Sequence, residues 1–187
     1  MILAAALFGG GAVGGTIAWI TSQYSLVDRT FAYGNIELGF TDTDESDDEV
    51  LRMVPGKTLN MNTELTVSAG SEECWLFCEI RKSENFDFFL TYTVDPGWAK
   101  LDGAEDVYYR LVINEDDEDF LFGMLYDDFK TNVLLDNELI VKDSVLIEQF
   151  DALTDETRPE VKIYAYAVQR ASIDDPAVAW SLITPAE

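Results

Sequence analysis

The sequence predicts a mainly β fold, a jelly-roll-like two-sheet sandwich with one or two short helices. Three observations support this prediction. Beyond the first 18 residues, apolar side chains recur mostly with the period of two that β-strands show. Turn-forming residues separate about eight such segments. Hydrophobic residues make up 48% of the 187 residues, which is enough apolar surface for one packed core in a single domain.

The elements follow from this pattern in chain order. Strands are predicted over residues 30–40, 63–69, 73–81, 89–94, 107–113, 131–135, 138–141 and 161–169. The segment 73–81 is apolar on both faces and is therefore expected to be a central strand. Turns are predicted at Pro55-Gly56, Asp95-Pro96-Gly97, Asp102-Gly103 and Asp136-Asn137. Amphipathic patterns predict short helices over residues 144–154 and 175–182, the second with Pro176 in its first turn.

The charge of the chain excludes several classes of function. Twelve Lys and Arg stand against 36 Asp and Glu, a net charge of −24 that repels nucleic acid and anionic lipid headgroups. There is no histidine, which excludes Ser-His-Asp and Cys-His catalysis and H-E-x-x-H zinc sites. Carboxylate pairs of the glycosidase kind arise by chance among so many acids. The sequence therefore predicts no nucleic-acid partner and no enzymatic activity.

Cys74 and Cys78 are the only cysteines in the chain. On a strand they point to the same face about 13 Å apart, which is too far for a disulfide bond. No histidine and no second cysteine pair accompanies them, so metal binding is not indicated. They are predicted to be two buried thiols.

Residues 1–18 have the features of an export signal that is cleaved. Residues 1–8 form an apolar run too short to span a bilayer, and five glycines in seven positions follow it. Thr16 and Ala18 place small residues three and one positions before a cut that leaves Trp19 as the mature N-terminus. No Lys or Arg precedes the apolar run. The alternative, a buried N-terminal helix, is disfavoured because each glycine costs a helix about 1 kcal/mol. Contact with a membrane is expected only transiently, through this leader.

Two runs near the start of the chain resemble those of TasA-like and camelysin-like exported proteins, whose signals are cut by a signal peptidase of the SipW type. They are Gly-Gly-Thr-Ile-Ala at residues 14–18 and Thr-Phe-Ala-Tyr-Gly-Asn-Ile-Glu-Leu at residues 30–38. Similar runs lie at residues 54–60, 65–72, 151–154 and 165–169. The resemblance implies a secreted subunit, in the extracellular matrix or at the cell surface, that polymerises with identical subunits into biofilm-matrix fibres by donor-strand exchange. The missing basic start and the acid-rich loops depart from the family pattern.

Residues 19–29 are predicted to be the donor-strand segment in front of a single jelly-roll domain at residues 30–187. Residues 19–28 are nearly neutral, contain no Pro or Gly and have no partner strand adjacent in sequence. The side chains expected to enter the groove of a neighbour are those of Trp19, Ile20, Tyr24, Leu26 and Val27. By its residues alone, the segment pairs either within its own sandwich or with the next subunit. In the second case the head-to-tail contact does not close, and a filament follows.

Acid-rich loops support an alternative function, a monomeric secreted β-sandwich that binds Ca²⁺ or carbohydrate. Clustered carboxylates suit a hard cation, and the candidate ligands are Asp42, Asp44, Asp47, Asp48 and Glu49. The spacing lacks the glycine of an EF-hand loop, so a solvated loop is the competing interpretation. The aromatic side chains of Trp75, Trp98, Tyr108 and Tyr109 suit sugar rings if they are exposed and a core if they are buried. The principal prediction remains a structural fibre subunit.

Overall fold

The computed structural model describes residues 18–19, 30–33, 36–42, 53–61, 63–114, 123–154, 156–171 and 173–183. Within these residues lie twelve strands and three short helices, and the predicted mainly β, sandwich-like fold is confirmed. The strands are β1 (Ala18–Trp19), β2 (Thr30–Tyr33), β3 (Leu38–Asp42), β4 (Thr58–Asn60), β5 (Thr63–Val67), β6 (Cys74–Lys82), β7 (Leu90–Val94), β8 (Ala99–Lys100), β9 (Val107–Val112), β10 (Phe129–Thr131), β11 (Leu134–Val141) and β12 (Val161–Gln169). The helices are α1 (Phe86–Phe89), α2 (Ile147–Asp151) and α3 (Pro176–Ser181).

The first layer of the sandwich is a sheet in the order β1-β12-β6-β9-β8, and β2 also pairs with β12. The central strand β6 pairs with β12 along nine residues and with β9 along six, antiparallel in both cases. Its side chains from Cys74 to Cys78 are all buried. The prediction that this segment is a central strand is therefore confirmed, because only a strand covered on both faces buries successive side chains.

The second layer consists of two three-stranded sheets, β10-β5-β3 and β4-β11-β7. The two sheets are connected along the chain, since β4 leads into β5 and β10 leads into β11. Thr131 lies opposite Leu65, and Glu138 lies opposite Asn60. Five residues lead from Asn60 to Leu65, whereas seven lead from Thr131 to Glu138. The chain from β10 to β11 thus has two more residues than the chain from β4 to β5, an irregularity of the bulge kind that separates the two ladders.

Two apolar clusters lie on opposite faces of the first layer. Side chains of β4, β5, β6, β7, β9, β11 and β12 form the core between the layers, with Leu76 and Cys78 fully buried at its centre. The other face of β6 and β12 carries Phe77 and Tyr166, which contact Trp180 of α3 at ring-centroid distances of 5.3 Å. The C-terminal helix therefore covers the outer face of the sheet, which explains why β6 and β12 are apolar on both sides.

The predicted elements differ from the structure in two parts of the chain. The single strand predicted over residues 30–40 is wrong, because β2 joins the first layer and β3 joins the second. Apolar side chains alternate with a period of two in strands of either layer, so the pattern does not show where the chain crosses from one layer to the other. The turn predicted at Asp136-Asn137 is also wrong, and so are the strands predicted at 131–135 and 138–141, because β10 ends at Thr131 and β11 runs from Leu134 to Val141. Asp136 and Asn137 have positive φ, 54° and 56°, but they lie inside β11, where its pairing with β7 shifts between Leu134 and Leu139.

The two predicted helices are present but shorter than the patterns indicated. In α3, Pro176 occupies the first turn, and Asp175 caps the helix by accepting a hydrogen bond from Ala177 N at 2.8 Å. The short elements β4, β8 and α1 were not predicted. Each has two to four residues, fewer than a periodic pattern requires to be recognised.

Candidate functional site

The candidate site is the outer edge of β12, the edge that faces away from β6. Residues 161–169 are predicted to be a strand, and the structure gives the same bounds. Six consecutive side chains, from Ile163 to Val168, are buried. A strand buried on both faces and open along one edge would expose a row of unpaired N–H and C=O groups beside apolar side chains. This edge therefore requires a partner.

Two pieces of the N-terminal part of the chain occupy this edge. β1 pairs antiparallel with its beginning, where Ala18 lies opposite Ile163 and Trp19 lies opposite Lys162. β2 pairs parallel with its end, from Thr30 opposite Ala165 to Tyr33 opposite Val168. Among the described strands β2–β12 is the one parallel pair.

Tyr164 lies between the two pieces and has no Cα partner in either β1 or β2. Its ring is buried and lies under the guanidinium of Arg81, with Cζ 4.6 Å from the ring centroid. The outer edge of β12 is thus covered by two short segments that run in opposite directions, rather than by one continuous strand.

Basic side chains surround the beginning of this edge. Arg81 lies opposite Lys162 across the β6–β12 pair. Arg81 Nε donates to Glu79 Oε1 at 2.7 Å, and this hydrogen bond is the main reason why the pKa of Arg81 is raised. Lys162 Nζ lies 3.6 Å from Glu160 Oε2. The charges of Arg81 and Lys162 are therefore balanced by nearby carboxylates, and a strand that pairs at this edge needs no charged side chains of its own.

The predicted donor and cleavage residues are only partly described by the structure. Ala18 and Trp19 form β1 and pair with β12 of the same chain, which is one of the two alternatives left open by the sequence. The remaining predicted residues, Thr16, Ile20, Tyr24, Leu26 and Val27, lie outside the described residues.

The candidate Ca²⁺ ligands are also mostly outside the described residues. Asp42 ends β3, while Asp44, Asp47, Asp48 and Glu49 are not described. In the part of the chain that is described, no group of three or more His, Cys, Asp or Glu side chains is arranged to hold a metal ion.

Of the candidate sugar-stacking aromatics, Trp75 and Trp98 belong to the interior, whereas Tyr108 and Tyr109 are half-buried. Trp75 and Trp98 are 9% and 6% exposed. Their indole Nε1 atoms donate to backbone carbonyls, Ile173 O at 2.7 Å and Asn132 O at 2.8 Å respectively. Tyr109 is half-buried with its ring 5.9 Å from that of Trp75. The core interpretation of the tryptophans is therefore confirmed.

The two thiols are free and buried, as predicted. Both lie on the face of β6 that points into the core between the layers. Burial, together with the charge of Glu73, raises the pKa of Cys74 to about 12. Burial also raises the pKa of Cys78. Neither thiol is positioned for nucleophilic chemistry.

The acceptor residues of β12 were not identified by sequence reasoning, although the strand itself was. The available signal is its run of apolar residues on both faces, which is typical of a strand in the interior of a sheet, where both edges have neighbours. Sequence does not show which segment supplies the second neighbour, because Trp19 and Lys162 are far apart in the chain.

Protein-family models, curated proteins and solved structures give no match to this chain. Among the described residues, no helix has the length and apolar character required to cross a bilayer. The function is therefore inferred from the geometry of the β12 edge together with the sequence patterns.

Proposed function

We propose that this protein is a structural subunit of an extracellular fibre of the biofilm-matrix type, assembled head-to-tail by donor-strand exchange. The N-terminal segment that begins at Trp19 leaves its own subunit and pairs with the outer edge of β12 in the next. The protein is secreted, its leader is removed by a signal peptidase, and its partners are identical subunits. No catalytic role is assigned.

One observation supports this proposal above the others: Trp19, the residue at which the donor segment begins, lies opposite Lys162 at the outer edge of β12. A contact made by a terminal segment within one chain can be made by the same segment of another chain, because the residues in contact are identical. The segment between β1 and the predicted domain is nearly uncharged, whereas the chain as a whole carries −24. It is therefore the part of a second acidic subunit that approaches with least repulsion.

The edge also gives the exchange a direction. The donating segment is at the front of the chain and the accepting edge belongs to the last of the described strands, so the two contact surfaces of a subunit differ. A contact between different surfaces is heterologous and does not close on itself unless the rotation forms a ring. Repeated exchange then produces an open filament rather than a dimer.

Disulfide trapping between two separately prepared variants tests the proposal. One preparation of the mature chain carries Trp19→Cys and the other carries Lys162→Cys, the two residues that lie opposite each other in β1 and β12. Within each preparation, a β1–β12 disulfide is impossible. Exchange predicts that mixing and mild oxidation yield a covalent heterodimer, resolved on a non-reducing gel by a size tag on one partner. The buried native thiols are not expected to compete.

A matched control replaces Lys162→Cys with Lys130→Cys, an exposed lysine of β10 in the second layer. This pair is expected to give no heterodimer above background. In parallel, a chain starting at residue 30 is expected to form no filaments by electron microscopy, whereas the mature chain forms them. Equal yields of the two heterodimers, or filaments that persist without residues 19–29, contradict the proposal.

The alternative function is a monomeric secreted β-sandwich, and the pairing of Trp19 with Lys162 of the same chain favours it. A double variant that carries both cysteines distinguishes the two cases. A monomer gives only an intrachain disulfide at every protein concentration, whereas exchange gives a ladder of covalent oligomers that grows with concentration.

A further inference from the structure

The two short helices α1 and α2, at one end of the sandwich, leave apolar side chains uncovered. Phe88 of α1 is 52% exposed, Leu146 in front of α2 is 62% exposed, and Ile147 of α2 is 64% exposed. No residue of α2 is buried, although a helix of five residues is too short to be stable on its own. An amphipathic helix normally packs its apolar side against its own core. The exposure of these side chains therefore requires an explanation.

The exposed side chains are linked into one patch. The ring of Phe150 lies 5.3 Å from that of Phe89, and the ring of Phe89 lies 4.9 Å from that of Phe88. Ile147 precedes Phe150 by three residues, a spacing that places two side chains on the same side of a helix, and Leu146 adjoins Ile147. Phe89 and Phe150 pack against the core and form the floor. We call these five residues the α1–α2 patch.

The border of the α1–α2 patch is acidic. Exposed carboxylates lie on α2 itself and in the residues that precede each helix. They are those of Glu84, Asp143, Glu148 and Asp151. Within the described part of the chain, none of the four has an ion-pair partner. The patch thus combines uncovered apolar area with unpaired negative charge.

Two basic side chains near the patch already have partners. Lys82 Nζ lies 3.1 Å from Asp87 Oδ2 and 3.6 Å from Asp106 Oδ2. Lys142 Nζ donates to the backbone carbonyl of Asp87. These two cations are engaged elsewhere, so the uncompensated charge at the border of the patch is negative. A surface of this kind attracts positively charged groups.

We propose that the α1–α2 patch is a docking surface for a short basic amphipathic segment of another protein. Apolar side chains of that segment cover Phe88, Leu146 and Ile147, while its Lys or Arg side chains pair with the carboxylates of the border. A second copy of this chain is a poor occupant, because like charges would meet on two chains that each carry −24. The proposal does not rest on the fibre, since the β1 and β2 pairings involve none of these residues.

Calorimetric titration of the intact protein with designed peptides tests the proposal. The first peptide is KLLKLLKKLLKLLK, the second has serine in place of every leucine, and the third has glutamate in place of every lysine. At about 150 mM sodium chloride, where exposed charges are screened beyond about 8 Å, we expect saturable one-to-one binding of the first peptide. Each of the others should bind at least about tenfold more weakly. No binding of the first peptide, or equal binding of the serine peptide, overturns the proposal.

Paired variants locate the binding on the patch. Leu146→Ser with Ile147→Ser removes apolar side chains without changing the charge, and it should weaken binding of the first peptide about tenfold or more. The matched control is Val178→Ser with Leu182→Ser, since both residues are 51% exposed at the opposite, C-terminal helix. It should leave the affinity unchanged. All four side chains are mostly exposed, so neither variant is expected to unfold the protein. Equal losses in the two variants, or no loss in either, overturn the proposal.

A second pair of variants tests the acidic border. Glu148→Gln with Asp151→Asn keeps the apolar side chains and removes two charges, so it should weaken binding and reduce its dependence on salt. Asp127→Asn with Asp174→Asn removes the same number of charges at exposed residues away from the patch and is the control. Equal effects of the two variants would show that only the net charge of the protein matters, which overturns the proposal.

Two further measurements distinguish other occupants. Sedimentation equilibrium detects a second copy, and flotation with phosphatidylcholine vesicles detects a lipid surface. Neither self-association nor vesicle binding is expected to change when Leu146 and Ile147 are both replaced by serine. Loss of either one in that variant would assign the patch to the corresponding occupant and overturn the proposal.

Discussion

At the scale of single residues, burial determines the chemistry of Cys74 and Cys78. Both thiols lie in the core between the layers, away from water, where a thiolate is disfavoured. Their raised pKa values mean that they stay protonated at physiological pH. They therefore act as small apolar side chains, and the sequence prediction that they are buried and unpaired is confirmed.

The first prediction concerns thiol reactivity. In the native protein at pH 8, neither cysteine should react with a thiol reagent such as 5,5′-dithiobis(2-nitrobenzoate) within an hour, because the thiolate population is negligible. After unfolding in guanidinium chloride both should react at once. The absorbance of the released thiolate measures the number of thiols. Rapid labelling of either thiol without unfolding would contradict the burial of this face of β6.

The same pKa values predict how stability depends on pH. In the unfolded chain the pKa of each thiol is near the ordinary value of 9.0. In the folded protein the pKa of Cys74 is raised to about 12, and the pKa of Cys78 is raised as well. The stabilisation is complete below pH 9 and is lost as the pH rises. For each thiol the free energy of unfolding should fall by about 1.4 kcal/mol per pH unit above 9. Urea unfolding measures this effect. Between pH 8 and pH 10, the free energy of unfolding should fall less in Cys78→Ala than in the unaltered protein.

Among the elements, β6 and β12 are each buried on both faces, and the two faces pack against different parts of the molecule. One face packs against the second layer, and the other face packs against α3. The helix has only six residues, fewer than an isolated helix requires to be stable in water. Its position therefore depends on the side chains that it buries, above all Trp180 against Phe77 and Tyr166.

The prediction at this scale is that Trp180→Ala releases α3 from the sheet. The variant should lose about 1–3 kcal/mol of unfolding free energy, since the ring is only partly buried. It should also bind the dye anilinonaphthalene sulfonate, because the aromatic face of β6 and β12 becomes accessible. Val178→Ala on the exposed side of the same helix is the control and should change stability by less than about 0.5 kcal/mol. Dye binding equal in the two variants would argue against this role of Trp180.

Element boundaries show where local pattern is sufficient and where it is not. The bounds of β12 match the predicted strand, because its apolar alternation is long and uninterrupted. The crossing between β2 and β3 was missed, since the alternation carries on through it. The Asp136-Asn137 pair has the chemistry of a hairpin turn, but the partner strand β7 continues past it and makes it a bulge.

At the scale of the whole molecule, the net charge of −24 opposes both compaction and assembly. Salt screens this repulsion, since the Debye length falls from about 30 Å at 10 mM to about 3 Å at 1 M. We expect the melting temperature to rise and the lag before filament growth to shorten between about 10 mM and 500 mM sodium chloride. Calorimetry and light scattering measure the two effects. A melting temperature that falls with salt would show that ion pairs outweigh the overall repulsion.

A comparison of calcium chloride with sodium chloride distinguishes a specific Ca²⁺ site from screening of the net charge by salt. At equal ionic strength, calcium chloride and sodium chloride are expected to give the same melting temperature if residues 42–49 form a solvated loop. An additional rise that EGTA reverses would instead show a Ca²⁺ site, because a ligand bound only to the folded state stabilises it. Asp44→Asn together with Asp48→Asn should then remove the rise.

Local sequence patterns were sufficient to predict the mainly β class, the central position of β6, the bounds of β12 and the buried thiols. These features depend on hydrophobic period and side-chain type, which are local properties of the chain. Only the folded chain shows that β1 and β2 share the outer edge of β12 and that α3 covers the first layer. These features join residues that are distant in sequence, and the free energy of such contacts depends on which surfaces meet, which no local pattern encodes.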